Sequence, residues 1–255
     1  MFDNKPVDAA WLEQTGAEAL ASQRELISIV GITAIMLPPL LLVVDFQFGH
    51  SCVRDSLSHY YYGRGTGDIF VMALAFIGAL LIAYRGETKS ISLLAVLAGV
   101  MAILVGLVPT TASGCADGVF DGRAFVDVAQ GTASLSATPF ALFPGVGNLH
   151  FSAAVGLFAI MFLFTFIIFR LVGPSDIHPT TGQILGIKRI RNGIYLGCAI
   201  LTVIALAAIV LHSIFDFAFA DDINLVLIAE WVALWAMGFA WLVKGRVFNL
   251  RVMGA

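Results

Sequence analysis

Residues 55–68 read Asp-Ser-Leu-Ser-His-Tyr-Tyr-Tyr-Gly-Arg-Gly-Thr-Gly-Asp, which gathers hydroxyls, an imidazole, a guanidinium and two carboxylates into one short segment. A hydroxyl beside an imidazole and a carboxylate is raw material for a nucleophile, so Ser56 and Ser58 next to His59 are candidates for covalent chemistry. A local reading competes with this and takes precedence. Ser and Asp ahead of a helix accept bonds from its free amides, so Asp55, Ser56 or Ser58 would cap a helix carrying the tyrosines, and Asp68 would cap the apolar helix that follows. Tyr60, Tyr61 and Tyr62 suit an aromatic belt at a membrane interface and would equally suit a sugar or lipid headgroup. Ser56, Ser58, His59, Tyr60 and Tyr61 are therefore the candidate binding residues.

Four further ionisable residues fall at or within apolar runs: His150 at the start of one, His212 and Asp216 at the end of another, and Glu230 about two turns into the last. Such groups are expensive inside a bilayer and tend to mark function. His212 and Asp216 are four apart, on one face if the helix continues between them. With His150 they offer a ligand set for zinc with an open water position, and Asp68 or Glu230 would orient or deprotonate that water as the catalytic carboxylate. No His-Glu-x-x-His element accompanies them, so the metal reading rests on topology. Each residue also has a structural reading: His150 capping its helix or sitting at headgroup level, His212 bonding a carbonyl, Asp216 simply solvated. His50 and His178 read as ordinary loop residues.

The elements that must position these groups are membrane spans. The chain is 59% hydrophobic and 12% charged, and its apolar stretches reach the roughly 20 residues needed to cross ~30 Å of hydrocarbon. An all-α polytopic bundle with six spans is expected, at 26–44, 69–84, 91–107, 151–172, 193–211 and 223–243. Within the first span, Pro38 and Pro39 predict a kink or break, unless a neighbouring helix satisfies the freed carbonyls. Lys and Arg mark cytoplasmic segments. They follow span two (Arg85, Lys89), surround the linker after span four (Arg170, Lys188, Arg189, Arg191) and follow span six (Lys244, Arg246, Arg251), which puts both termini inside. The loops after spans one, three and five then face outward, and His59, Asp68, His150, His212, Asp216 and Glu230 share the outer half of the bundle. Trp241 fits the inner aromatic belt, whereas Trp231 and Trp235 lie on or near the face of Glu230.

Cys52 and Cys115 both fall in outward loops, where a disulfide persists, and a Cys52–Cys115 bridge is expected. Residues 1–25 form a cytoplasmic tail, either plain or a weakly amphipathic helix, and residues 245–255 a second tail around the 26–244 membrane domain. The first span is expected to stay as a signal anchor, with no cleavable signal peptide ahead of it. The loop over 110–149 is long, rich in turn residues, and reads as a lid, with a short helix or strand at 124–129. The linker 173–192 ends in a basic edge, Lys188-Arg189-Ile190-Arg191, which is ordinary inner-surface anchoring with anionic lipid contact allowed. A net charge of −3 with basic residues spread along one membrane side argues against nucleic-acid binding. No glycine-rich phosphate loop follows a strand.

The pattern Ser56-x-Ser58-x-Tyr60-Tyr61, Asp68-x-Phe70-Val71, Ala83-Tyr84-Arg85-Gly86, Val108-Pro109-Thr110 and Leu149-His150 resembles a group of uncharacterised bacterial multi-pass membrane proteins carrying a domain of unknown function. The resemblance covers most of residues 50–170, with a weaker echo at Glu230-Trp231 and Trp241-x-x-Lys244. It implies the span count and a bacterial inner-membrane location, and brings no activity. A fainter likeness is to intramembrane hydrolases of the alkaline ceramidase and adiponectin-receptor type, carried by Ser58, His59, Asp68 and His212-x-x-x-Asp216. That likeness implies a lipid substrate, although Asp216 replaces the second His and six spans replace seven. Three functions follow as expectations. The first is an accessory subunit of a larger membrane complex, or a lipid or small-molecule binding module. The alternatives are a metal-dependent hydrolase acting on lipid, and a small transporter.

Overall fold

The computed structural model describes residues 9–47, 53–63, 65–108 and 146–248. Cys52, Cys115, the loop interior with the expected 124–129 element, residues 1–8 and residues 249–255 lie outside the described residues. Seven α-helices are present among them: α1 Ala9–Gln47, α2 Thr66–Ala83, α3 Lys89–Leu107, α4 Val146–Phe166, α5 Gly186–Phe215, the short α6 Ala218–Asp222, and α7 Leu225–Lys244. A 3-10 turn at Leu57–Tyr62 carries the polar segment. The described residues form no strand beyond a lone antiparallel bridge between Ile177 and Ile184.

Six helices are long and apolar enough to cross a membrane: Ser22–Gln47, Thr66–Ala83, Lys89–Leu107, Leu149–Arg170, Gly186–Phe215 and Leu225–Lys244. Each overlaps one expected span. Around the bundle, α1 packs on α2, α2 on α3, α3 on α4, α4 on α5, α5 on α7 and α7 back on α1, closing a ring. α7 also touches α4, and at 56% buried it is the most enclosed span.

Lipid is as apolar as leucine, so burial in water does not drive these helices together; close packing does. Glycines supply it. A Cβ at Gly78 on α2 would stand 2.7 Å from the Gly99 carbonyl oxygen of α3, and one at Gly31 on α1 would stand 2.7 Å from the Gly238 carbonyl oxygen of α7. On α1, Ile27, Val30, Ala34, Leu37 and Leu41 face inward while Ile29, Ile32, Met36, Leu40 and Val43 form an exposed apolar stripe. Such a stripe is a liability in water and a requirement in lipid.

α1 runs unbroken through Pro38 and Pro39, so the expected break is absent. Pro39 has no N–H to give the Ile35 carbonyl one turn back. The Trp235 indole N–H donates to that oxygen instead, at 2.8 Å, from α7. The segment before residue 26, expected as a plain tail or a weakly amphipathic helix, has a helical backbone from Ala9 onward, continuous with the first span.

Two polar ends cap the bundle. At the lysine end, α5 begins at Gly186 rather than near residue 193, and Lys188 folds inward instead of forming a surface edge. Lys188 is 5% exposed, donates to the Phe169 and Leu171 carbonyls and pairs with Asp176 at 3.4 Å. Trp241 is likewise not a belt residue. It is 1% exposed, among Tyr84, Phe164 and Phe169 with ring centroids 5.4–6.1 Å away. The other end holds the serines.

Candidate functional site at the serine end

The segment after α1 is fixed by a buried ion pair. Arg54 Nε lies 3.3 Å from Asp45 Oδ2 and Nη2 lies 3.4 Å from Oδ1, with both side chains 2% exposed. The guanidinium also sits 5.6 Å from the centre of the Tyr60 ring. Arg54 therefore turns the chain inward at the end of α1, and the tyrosines follow it. Tyr60, Tyr61 and Tyr62 are 1%, 3% and 3% exposed, packed with Leu37, Leu41, Phe70 and Leu227. This corrects the expectation that Tyr60 and Tyr61 present a headgroup-binding or belt surface. Burial raises the Tyr60 and Tyr62 hydroxyls above their ordinary range, so both remain neutral.

Ser56 caps this turn as expected, with extended backbone and its Oγ accepting the Ser58 N–H at 3.1 Å. Its own hydroxyl proton goes elsewhere. Ser56 Oγ donates to Glu230 of α7, 2.8 Å from Oε2 and 3.0 Å from Oε1, and the Leu57 N–H donates to Oε2 at 2.7 Å. Three contacts from two donors, the Ser56 hydroxyl and the Leu57 amide, converge on this one carboxyl group. Glu230 thus pins the polar segment onto α7.

Ser58 makes the second pairing. His150, in the first turns of α4, places Nδ1 2.6 Å from the Val108 carbonyl oxygen and Nε2 3.1 Å from Ser58 Oγ. A carbonyl oxygen only accepts, so Nδ1 carries the proton, and in the neutral ring Nε2 presents its lone pair to the Ser58 hydroxyl. That is the geometry of a hydroxyl beside its general base, with a main-chain carbonyl in the orienting position a carboxylate usually fills. Ser56 and His150 are each 6% exposed, whereas Ser58 and Glu230 are half-buried. One member of each pair is sealed and the other can be reached.

The remaining candidates are placed differently. His59 is half-buried in the turn, its N–H donating to the Ser56 carbonyl at 3.1 Å. Asp68 does not cap α2: the N-cap is Gly65 at φ 74, and Asp68 stands exposed in the first turn, where a carboxylate complements the helix dipole. Asp216 leaves the helical register, with φ 49, as the cap of α5, and its N–H donates to the His212 carbonyl at 2.8 Å. The carboxylate beside His212 is Asp221 of α6, 3.8 Å from Nε2. His150, His212 and Asp216 are thus not brought together as a zinc set. Among the described residues no group of three or more His, Cys, Asp or Glu is placed to hold a metal ion, and both ring nitrogens of His150 already have partners. Cys198 is free and buried.

Sequence reasoning missed the Asp45–Arg54 pair, the Val108 carbonyl and Asp221. For the first there was a signal: Arg54 breaks the charge rule for an outward loop, and Asp45 ends an apolar run.

Fold and site together define a polytopic helical membrane protein with a two-pair Ser/His and Ser/Glu site at one end of the bundle. No protein-family model, curated protein or solved structure matches the chain.

Proposed function

We propose that this chain binds the polar end of a lipid or small molecule at its outer face, through Ser56, Ser58, His150 and Glu230, as a binding module or as the accessory subunit of a larger inner-membrane assembly. The supporting observation is the half-buried Ser58–Glu230 front of an otherwise sealed polar cluster, drawn from three elements far apart in sequence. Buried polar groups are costly in a bilayer and tend to mark function. The outward assignment is supported by Arg85, Lys188, Arg191, Lys244 and Arg246, which line one cavity at the opposite end, as cytoplasmic residues do. Native mass spectrometry of the protein in lipid nanodiscs tests the reading. The wild type should retain a bound species that Ser58→Ala loses at unchanged unfolding temperature. Identical spectra for the two proteins would overturn it.

A second reading is favoured by the His150 tautomer: Ser58 acts as a nucleophile toward an acyl ester or amide, with Nε2 taking its proton. This replaces a metal-bound water as the hydrolytic route, since the metal candidates are dispersed. A fluorophosphonate probe should then label Ser58, and His150→Gln should abolish labelling. An unlabelled Ser58 in a folded protein would eliminate this reading and leave the first intact.

A further inference from the structure

At the lysine end, a cavity of about 380 Å³ opens between α1, α2, the 173–185 linker, α5 and α7. That is the size of a small-molecule site. Arg24, Arg85, Lys188, Arg191, Lys244 and Arg246 line it. Against them stand Glu87 and Asp176, which leaves a surplus of four positive charges.

These charges are not all consumed within the protein. Lys188 is committed to Asp176 and two carbonyls, and Lys244 lies 3.9 Å from Glu87. The Arg24 and Arg191 guanidinium groups make no direct ion pair or hydrogen bond among the described residues, and the charge of Arg191 acts on Asp176 only at longer range. Guanidinium forks match phosphate oxygens in geometry as well as charge. Like charges focused in a recess with low-dielectric walls, here Ile27, Phe169 and Tyr195, attract a counter-anion strongly. The cavity also sits at the right level. Its rim is formed by the cap of α2 at Tyr84, the start of α5 and the end of α7, where the spans give way to headgroups.

We propose that this cavity binds a phosphate group, supplied in the membrane by the headgroup of an anionic phospholipid. The site lies at the opposite end from the serine cluster and does not depend on its function.

The test uses the full chain in phosphatidylcholine nanodiscs containing a minor fraction of phosphatidylglycerol, with retained lipid counted by native mass spectrometry. Wild-type protein should retain phosphatidylglycerol in preference to phosphatidylcholine. At ~1 kcal/mol per basic residue near the surface, each arginine removed should weaken retention about fivefold, and the R24A/R191A pair about thirtyfold. R189A removes the same charge from a position outside the cavity and should weaken retention clearly less than R191A. If the pair of alanines unfolds the protein, R191Q alone should show the fivefold loss. Displacement of the lipid by inorganic phosphate, with a raised unfolding temperature, would identify free phosphate as a source; phosphate without effect beside selective lipid retention would identify the lipid. The proposal is overturned if wild type shows no preference and no response to phosphate, or if R189A weakens retention as much as R191A.

Discussion

Replacing Arg54 with alanine should destabilise the bundle far more than an ordinary ion-pair deletion. An exposed pair is worth at most about 1 kcal/mol, because water solvates whichever charge remains. Here both side chains are 2% exposed, so Arg54→Ala leaves the Asp45 carboxylate sealed without its fork of two bonds at 3.3 and 3.4 Å. Breaking a buried pair in this way costs about 3–5 kcal/mol. Asp45→Leu, which strands the guanidinium, should cost a similar amount. The double replacement Asp45→Leu with Arg54→Met removes both charges while filling the space, and should lie within about 2 kcal/mol of wild type. Equilibrium unfolding in detergent, followed by tryptophan fluorescence across these four proteins and the Arg54→Met single, closes the double-mutant cycle and gives the coupling. The site supplies a second readout. Arg54 holds the turn whose Leu57 N–H bonds Glu230, so Arg54→Ala should speed hydrogen exchange at Leu57, and the double variant should restore its protection. A loss below about 1 kcal/mol for Arg54→Ala, or single losses that simply add in the double variant, would refute the reasoning.

Two further outcomes follow from the same structure. Burial alone would raise the Asp176 carboxyl, but the Gly173 N–H and the Lys188 ammonium outweigh it and hold the group below the ordinary value of 3.8. The stabilisation is then complete above that value and fades as pH falls through the lower folded-state value. Asp176→Asn should therefore unfold at lower temperature than wild type near neutral pH, with the gap closing in acid; a gap independent of pH would contradict the assignment. Trp235→Phe should cost about 1 kcal/mol by orphaning the Ile35 carbonyl, and Pro39→Ala should cancel that cost by restoring the helical donor. Equal Trp235→Phe losses with and without the Pro39→Ala replacement would show that the indole bond does not stand in for the missing amide.

The spans were legible because length and hydropathy are local properties, and each of the six overlaps its expected range. Local chemistry also placed the Ser56 cap. The errors share one cause, which is that a residue type announces its needs without naming its partner. Three tyrosines in a row read equally as belt or core until Arg54 draws them inward, and Lys188 reads as a surface cation until Asp176 and two carbonyls receive it. The same ambiguity separates the zinc set from the observed site. His150 and Glu230 both read in the sequence as costly groups sharing one depth in the bundle. Their partners are a serine 92 positions and a serine 174 positions away, fixed by which helices adjoin. The oxygen that sets the His150 tautomer belongs to the backbone of Val108 and leaves no trace in side-chain chemistry. Whether Ser58 is a ligand-binding hydroxyl or a nucleophile turns on that main-chain contact. A substitution near Val108 that moves its carbonyl, with Ser58 and His150 both intact, should therefore alter the reactivity of the pair.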